Sequence, residues 1–130
     1  MSAFVLNKTM TIDVPVSDLT RSKDWYREIL GCEVIFEVAE YGYCFLSTHN
    51  PDITIGMGQV EAVKAGGGVT PTWNCQHIET GKAEMEAKGV RFDGPIRDLG
   101  MVKLVTFYDP DGYPWMLAEN VAVSAENVAV

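Results

Sequence analysis

The start of the chain shows a change of hydrophobic period between two neighbouring segments. From Met10 to Val16 apolar residues alternate with polar ones, which predicts a strand with one apolar and one polar face. The next segment has apolar residues at helical spacing and predicts a helix over Leu19–Leu30. Asp18 is placed to cap the start of this helix, and Gly31 is placed to end it in the left-handed conformation.

Three short segments follow this helix, separated by turn residues. They are rich in β-branched and aromatic residues, which is typical of strands. The three segments are Glu33–Val38, Tyr41–Thr48 and Ile53–Gly58. Residues 9–58 are therefore expected to form a β-α-β-β-β module.

The same order of elements is predicted again in residues 69–119. Matching residues lie 58 or 59 positions apart, as Gly31 and Gly89 do at the helix ends and Pro51 and Pro110 do in the last turns. Such a repeat indicates two copies of one unit, each too small to bury its own sheet face. We therefore predict a single α+β domain built from two paired βαβββ modules. The second module is expected to contain a strand over Thr70–Gln76, a helix over Thr80–Lys88, and strands over Val90–Asp93, Met101–Tyr108 and Tyr113–Glu119.

Two segments lie outside the modules. Residues 59–68 have no apolar period and contain Gly66-Gly67-Gly68, which predicts a flexible connector. These glycines precede a strand and so lack the strand-turn-helix context of a phosphate-binding loop. The tail, residues 120–130, contains most of a duplicated AENVAV sequence, and we expect this terminus to fray.

Composition limits the classes of function. The chain has 130 residues, a net charge of −8 and an apolar content of 47%, which fit one globular domain. The excess of acidic residues repels polyanions, so neither nucleic acid nor an anionic membrane is an expected partner. The three cysteines have no CxxC spacing, and no apolar stretch is long enough for a signal peptide core or a membrane span. These features favour a reduced, cytoplasmic protein.

Five short motifs follow one another between residues 10 and 119. They are Ile12–Leu19, Trp25-Tyr26, Leu30-Gly31, Ala87–Val90 and Phe107–Gly112. The Asp-Pro-Asp-Gly sequence that ends the last motif is the most specific part. In order and spacing they resemble the vicinal oxygen chelate superfamily, which includes glyoxalase I, extradiol dioxygenases, and the fosfomycin- and bleomycin-resistance proteins. The resemblance implies a glyoxalase-like fold of two βαβββ modules whose curved sheets enclose a ligand cavity.

The resemblance also implies where a metal ion would bind. Metalloenzymes of this superfamily hold a divalent ion with His and Glu side chains from the first and last strands of each module. Matched onto this chain, those positions fall at Thr11, Thr70, Met116, and Thr54 or Gly56. Neutral hydroxyls and a thioether do not hold a hard divalent cation. We therefore expect no metal ion and no other cofactor.

Asp13 is the most informative candidate, because the polar face of the first strand is expected to line the cavity. A carboxylate on the inner face of a central strand must be paired, hydrogen-bonded or protonated. It acts either as a counter-charge for a cationic ligand or as a general base, or else a neighbouring Lys, Arg or hydroxyl satisfies it. The other residues expected to bind the ligand are Thr11, Tyr43, Phe45, Thr70, Thr72, Asn74, Phe107 and Met116.

These observations lead to three functional hypotheses. The first is a metal-independent protein, similar to the bleomycin-resistance branch, that binds and sequesters an aromatic or cationic small molecule and so confers resistance. The resemblance and the flexible connector also imply a homodimer, whose modules pair within one chain or between two chains. The second hypothesis is a metal-dependent, glyoxalase-like lyase or isomerase. The third is a metal-free enzyme with Asp13 as general base.

Overall fold

The chain divides into two units in the computed structural model, which describes residues 4–120. The first unit ends at Lys64 and the second begins at Ala65, and we call them module 1 and module 2. Most of the predicted tail, with the second AENVAV copy, lies outside the described residues.

Module 1 has the predicted order of strands and helix. Its sheet has the order β1-β4-β3-β2, in which β1 and β4 are parallel and the other neighbours are antiparallel. A short 3-10 turn over Ala39–Tyr41 separates β2 from β3. The elements are β1 (Met10–Val16), α1 (Leu19–Leu30), β2 (Val34–Val38), β3 (Tyr43–Ser47) and β4 (Ile53–Gln59).

Both ends of α1 follow the sequence signals. Asp18 Oδ1 accepts the backbone N–H of Arg21 at 3.0 Å, which satisfies one of the unpaired donors at the helix start. Gly31 ends the helix with a φ of 70°, a conformation that strains residues with a Cβ. A tertiary contact adds to the cap, because Gln59 Oε1 on β4 accepts the N–H of Leu19 at 2.8 Å.

The sheet of module 1 has two different faces. Alternate strand residues are apolar and pack against α1, because a strand places successive side chains on opposite faces. No helix or strand in the described part of module 1, residues 4–64, covers the other face, which we call the open face of module 1. The buried residues between sheet and helix are Val14, Val16, Leu19, Ser22, Tyr26, Cys44, Leu46, Ile55 and Met57.

Module 2 repeats this topology. Its sheet has the order β5-β9-β8-β6, with β5 and β9 parallel, and β7 also pairs with β8. This arrangement of two sheets and two helices confirms the predicted α+β fold. The elements are β5 (Thr72–Asn74), α2 (Ile78–Ala87), β6 (Arg91–Phe92), β7 (Arg97–Asp98), β8 (Val102–Tyr108) and β9 (Pro114–Asn120).

Several boundaries in module 2 differ from the prediction, most of them by one residue, and three departures are informative. β5 covers only part of the predicted strand, since residues 70, 71, 75 and 76 are not in it. α2 begins two residues before the predicted start, because Glu119 Oε1 on β9 accepts the N–H of Ile78 at 2.8 Å. This contact matches the one between Gln59 and Leu19 in module 1. The short strand β7 was not predicted.

The Asp-Pro-Asp-Gly sequence forms the turn between β8 and β9. Asp109 is buried, and its Oδ1 accepts the N–H groups of Asp111 and Tyr113, each at 2.9 Å. The backbone of Asp109 also donates to the carbonyl of Tyr113 and accepts from the N–H of Gly112. The motif therefore has a structural role, because the Asp109 carboxylate holds the turn that starts the last strand.

Candidate functional site

The open face of module 1 brings four of the predicted ligand-binding residues together. The strand register places Asp13 of β1 beside Gly56 of β4, and Gly56 beside Phe45 of β3. Thr11 lies two residues from Asp13, and Tyr43 lies two residues from Phe45. Because alternate residues of a strand share a face, these four side chains project from the same side of the sheet.

A hydrogen bond links Asp13 to Tyr43 across the strand between them. The Tyr43 hydroxyl donates to Asp13 Oδ1 at 3.1 Å. Gly56 leaves room for this bond, since a Cβ there would lie 2.5 Å from Tyr43 Oη and 3.2 Å from Asp13 Oδ1. A Cβ at Gly58 would lie 3.1 Å from the Tyr43 ring. The two glycines therefore make a strip without side chains, and the Tyr43 ring lies over it.

The environment of Tyr43 keeps its hydroxyl protonated. Burial raises the pKa of the phenol above its ordinary value of 10.0, and the hydrogen bond to Asp13 raises this pKa further. Both effects disfavour the phenolate, the first by desolvation and the second by repulsion from the carboxylate. Tyr43 is therefore a hydrogen-bond donor to Asp13 throughout the neutral range.

Aromatic side chains border this pair. The rings of Tyr43 and Phe45 make an edge-to-face contact, with centroids 5.1 Å apart and an interplanar angle of 75°. Phe36 of the edge strand β2 lies directly opposite Phe45, and it is 57% exposed. Phe36 was not predicted from the sequence, because the register of β2 shifts between Val34 and Phe36 and simple alternation no longer tells which face a residue occupies.

In module 2, the predicted residues Thr72, Asn74 and Met116 share the face of the sheet that does not contact α2. Thr72 of β5 pairs with Met116 of β9, and Asn74 of β5 pairs with Ala118 of β9. Thr70 precedes the strand, and its carbonyl accepts a hydrogen bond from the Thr72 hydroxyl at 3.3 Å. Arg91 of β6 and Tyr108 of β8 also lie on this face, where they pair across the sheet. The guanidinium carbon of Arg91 lies 4.8 Å from the centroid of the Tyr108 ring.

Phe107 was predicted to contact the ligand, and the structure corrects this. It pairs with Trp115 of β9 and lies on the face opposite to Met116, the face that carries the contacts with α2. Its exposed fraction is 0%, and its ring lies 5.7 Å from the ring of Phe92. Phe107 is therefore a core residue of module 2. The prediction failed because alternation separates two faces of a strand without telling which one meets the helix.

A separate open groove of about 710 Å³ lies at the end of α1, away from the open face. It is lined by charged residues and by Cys32, a thiol that is 3% exposed. Burial raises the pKa of Cys32 from 9.0 to about 11, so its thiolate is scarce at neutral pH. A thiol in this state is a poor nucleophile and metal ligand.

The raised pKa of Cys32 predicts a loss of stability in alkali. The unfolded chain releases the Cys32 proton near pH 9, whereas the folded chain holds it to about pH 11. The free energy of unfolding should therefore be unaffected by this group below pH 9 and should fall as the pH rises from 9 to 11. Denaturant unfolding across this range checks the prediction. The Cys32→Ala variant should lose stability less steeply, and an equal slope would contradict the prediction.

Residues 4–120 contain two α-helices, and neither is a candidate membrane span. Neither is long and apolar enough to cross a bilayer, and the longer one, α1, has 12 residues.

Comparison with known proteins settles the family. A family model, the Glyoxalase/Bleomycin resistance protein/Dioxygenase superfamily, matches residues 6–117. The chain belongs to this superfamily. The match covers both modules and agrees with the resemblance found in the sequence motifs. No curated protein sequence gives a significant match to the chain.

Solved structures of the superfamily include resistance and antibiotic-binding proteins. The fosfomycin resistance protein FosX from Listeria monocytogenes aligns with a TM-score of 0.76 and 17% identity, over 91% of this chain and 97% of its own. TnmS3, an antibiotic binding protein from Streptomyces sp. CB03234, aligns with a TM-score of 0.72 and 21% identity, over 93% and 100%. A superfamily member from Sphaerobacter thermophilus aligns with a TM-score of 0.74 and 20% identity, over 88% and 98%. At these identities the likeness shows the fold and leaves the activity open.

The donor atoms at the metal positions that the sequence resemblance implies do not fit a divalent ion. On the open face of module 1, the Thr11 and Thr54 hydroxyls are hydrogen-bonded to each other at 2.8 Å. In module 2 the corresponding positions are Thr70 and Met116. Within residues 4–120, no group of three or more His, Cys, Asp and Glu side chains is placed to hold a metal ion. Hydroxyls and a thioether do not supply the charged or imidazole ligands that such ions need.

Proposed function

We propose that this superfamily member binds and sequesters a small molecule, aromatic or cationic, on the open face of module 1 without the help of a metal ion. The observation that carries the proposal is the group formed by Asp13, Tyr43 and Phe45 over the glycines of β4. It combines one carboxylate, exposed to solvent, with aromatic surface on a single sheet face. Pockets for small ligands have this character, with apolar walls and few polar groups that orient the ligand.

One structural relative supports binding as the activity, since TnmS3 is an antibiotic binding protein. Protection from a toxic compound requires only that the protein binds the compound tightly. The open face of module 1 has a carboxylate and aromatic rings that are suited to such binding. The Thr and Met side chains at the metal positions favour this function over the metal-dependent lyase or isomerase.

Ligand titration tests the proposal. A panel of aromatic, cationic and neutral antibiotics is added to the isotope-labelled protein, and the backbone amides of Gly56 and Gly58 are followed by NMR. We expect saturable, stoichiometric shifts at these amides, with no change in the ligand after prolonged incubation. Turnover of a ligand, or binding that leaves these amides unshifted, would count against the proposal.

A metal-free enzyme is the second candidate. It is favoured by one observation. Asp13 is exposed on the open face, and within residues 4–120 its side chain accepts a hydrogen bond at one carboxylate oxygen, so the other oxygen is able to take a proton from a substrate. The Asp13→Asn variant separates the two functions. It should abolish turnover if Asp13 is the base, and it should only weaken binding if the protein sequesters its ligand.

We further propose that the protein is a homodimer. The glycines at 66–68 of the connector have no atoms within 4 Å of a built Cβ, so nothing in the described chain packs against them. An unpacked joint of this kind gives the modules the reach to pair within a chain or between chains. Sedimentation equilibrium measures the mass directly, and a monomer at all concentrations would refute this part of the proposal.

A further inference from the structure

The two carboxylate oxygens of Asp13 differ on the open face, because one already accepts a hydrogen bond and the other does not. Its Oδ1 is occupied by the Tyr43 hydroxyl. Across residues 4–120, this is the hydrogen bond that the Asp13 side chain makes, and no lysine or arginine lies within ion-pair distance of it. The sequences of β1, β3 and β4 contain no basic residue at all. The second oxygen, Oδ2, therefore lacks a protein partner among the described residues.

The Tyr43 side chain is held in its position. Its ring lies over Gly56 and Gly58, and it makes an edge-to-face contact with Phe45. A phenol packed on two sides has little freedom to turn away when a ligand arrives. The hydroxyl should therefore stay on Oδ1 in the complex, and a ligand should meet a carboxylate with one free oxygen and one oxygen that is already hydrogen-bonded.

Cationic groups differ in how many carboxylate oxygens they need. A guanidinium or amidinium group binds a carboxylate through two parallel hydrogen bonds, one to each oxygen. An ammonium group is a compact charge that binds well to one oxygen. An oxygen that already accepts the Tyr43 hydroxyl has less capacity left for one of the two guanidinium bonds, whereas an ammonium group needs only the free oxygen. The Asp13 carboxylate therefore favours the ammonium group.

We propose that Tyr43 makes the site selective for an aromatic ligand that carries an ammonium group, and against one that carries a guanidinium or amidinium group. This inference rests on the proposed binding function and specifies its ligand class. The ammonium group binds Asp13 Oδ2, and the aromatic part of the ligand lies against Phe45 and Phe36. Tyr43 acts through Asp13, so it determines specificity without donating to the ligand.

Three probes of one shape test the selectivity. Phenethylammonium, phenethylguanidinium and the neutral phenethyl alcohol share the same ring and linker. Each is titrated into the isotope-labelled protein, and the dissociation constant is read from the amide shifts of Gly56 and Gly58. In the unchanged protein we expect the ammonium probe to bind about tenfold more tightly than the guanidinium probe, the worth of one charge-assisted hydrogen bond.

Two variants identify the cause. Tyr43→Phe removes the hydroxyl and releases Oδ1, so the guanidinium probe should gain about tenfold and the preference should disappear. Asp13→Asn should weaken the binding of both cationic probes until their affinities approach that of the alcohol. Tyr41→Phe is the matched control: Tyr41 is 79% exposed in the neighbouring turn, and its replacement should leave all three affinities unchanged. A dispersed amide spectrum verifies that each variant is folded.

The outcomes separate this inference from the proposed function. Equal affinity for the two cations, or a preference that survives in Tyr43→Phe, overturns the selectivity while binding on the open face stands. Cations that bind no better than the alcohol overturn it as well. If no probe shifts the two glycine amides, the selectivity is rejected, and the antibiotic panel decides the proposed function on its own.

Discussion

Replacing Phe107 with alanine is expected to lower the free energy of unfolding by about 3–5 kcal/mol. The ring is fully buried in module 2, where it packs near Phe92 and pairs across the sheet with Trp115. Its removal takes away apolar contacts and leaves a cavity that the neighbouring side chains fill only in part. Since natural domains are stable by about 5–15 kcal/mol, the variant should unfold at a much lower denaturant concentration. Denaturant unfolding followed by tryptophan fluorescence measures the change.

Phe36 provides the matched control for this prediction. It is also a phenylalanine on a strand, but it is 57% exposed at the sheet edge of module 1. Phe36→Ala should change the free energy of unfolding by no more than about 0.5 kcal/mol. It should instead weaken the binding of aromatic ligands. If Phe107→Ala were to keep its stability and lose ligand binding, the sequence-based assignment of Phe107 to the ligand site would be right after all.

Gly56→Ala is expected to reduce ligand affinity about tenfold with little effect on folding. The new Cβ would lie 2.5 Å from Tyr43 Oη and 3.2 Å from Asp13 Oδ1, so the phenol must move off the strand. The clash falls on the far end of a side chain, and the cost in stability should stay near 1 kcal/mol. The new methyl group also crowds the Asp13 carboxylate, and the displaced phenol ring takes up space on the open face where the ligand is proposed to bind. The ligand should therefore lose contact worth about one charged hydrogen bond. Titration with phenethylammonium measures the affinity.

Gly81→Ala is the control for a glycine replacement. Gly81 lies inside α2, and a Cβ there would meet no atom within 4 Å. Alanine is a better helix former than glycine, so this variant should gain about 0.5–1 kcal/mol of stability. Its ligand affinity should be unchanged. A loss of affinity in Gly81→Ala equal to that in Gly56→Ala would show that the effect is not specific to the open face.

The strength of the sequence prediction differed between the modules for a physical reason. In module 1, β1 and α1 have local signals at every boundary: strict alternation, the Asp18 cap and the glycine at position 31. In module 2, the start of α2 depends on Glu119, which is distant in sequence and arrives only when the sheet forms. Strand β7 has two residues, too few to leave a period, and it exists because it pairs with β8. Local patterns therefore predicted module 1 better than module 2.

Part of the candidate site was likewise predictable from local patterns, and part depended on contacts between distant residues. Alternation in β1 was enough to place Thr11 and Asp13 on one face, and the Gly-Met-Gly sequence in β4 already signals a close approach of other groups. The hydrogen bond between Asp13 and Tyr43 could not be read from the sequence, because it depends on the register of three strands across 30 positions of the chain.

The sequence alone determined the class of fold, the repeat of two βαβββ modules and the family. All of these follow from local periodicity and motif order. Only the tertiary structure decided which face of each strand meets a helix, and so moved Phe107 to the core and added Phe36 to the open face. The reason is that period two defines two faces of a strand, whereas burial of one of them is decided by what packs against it.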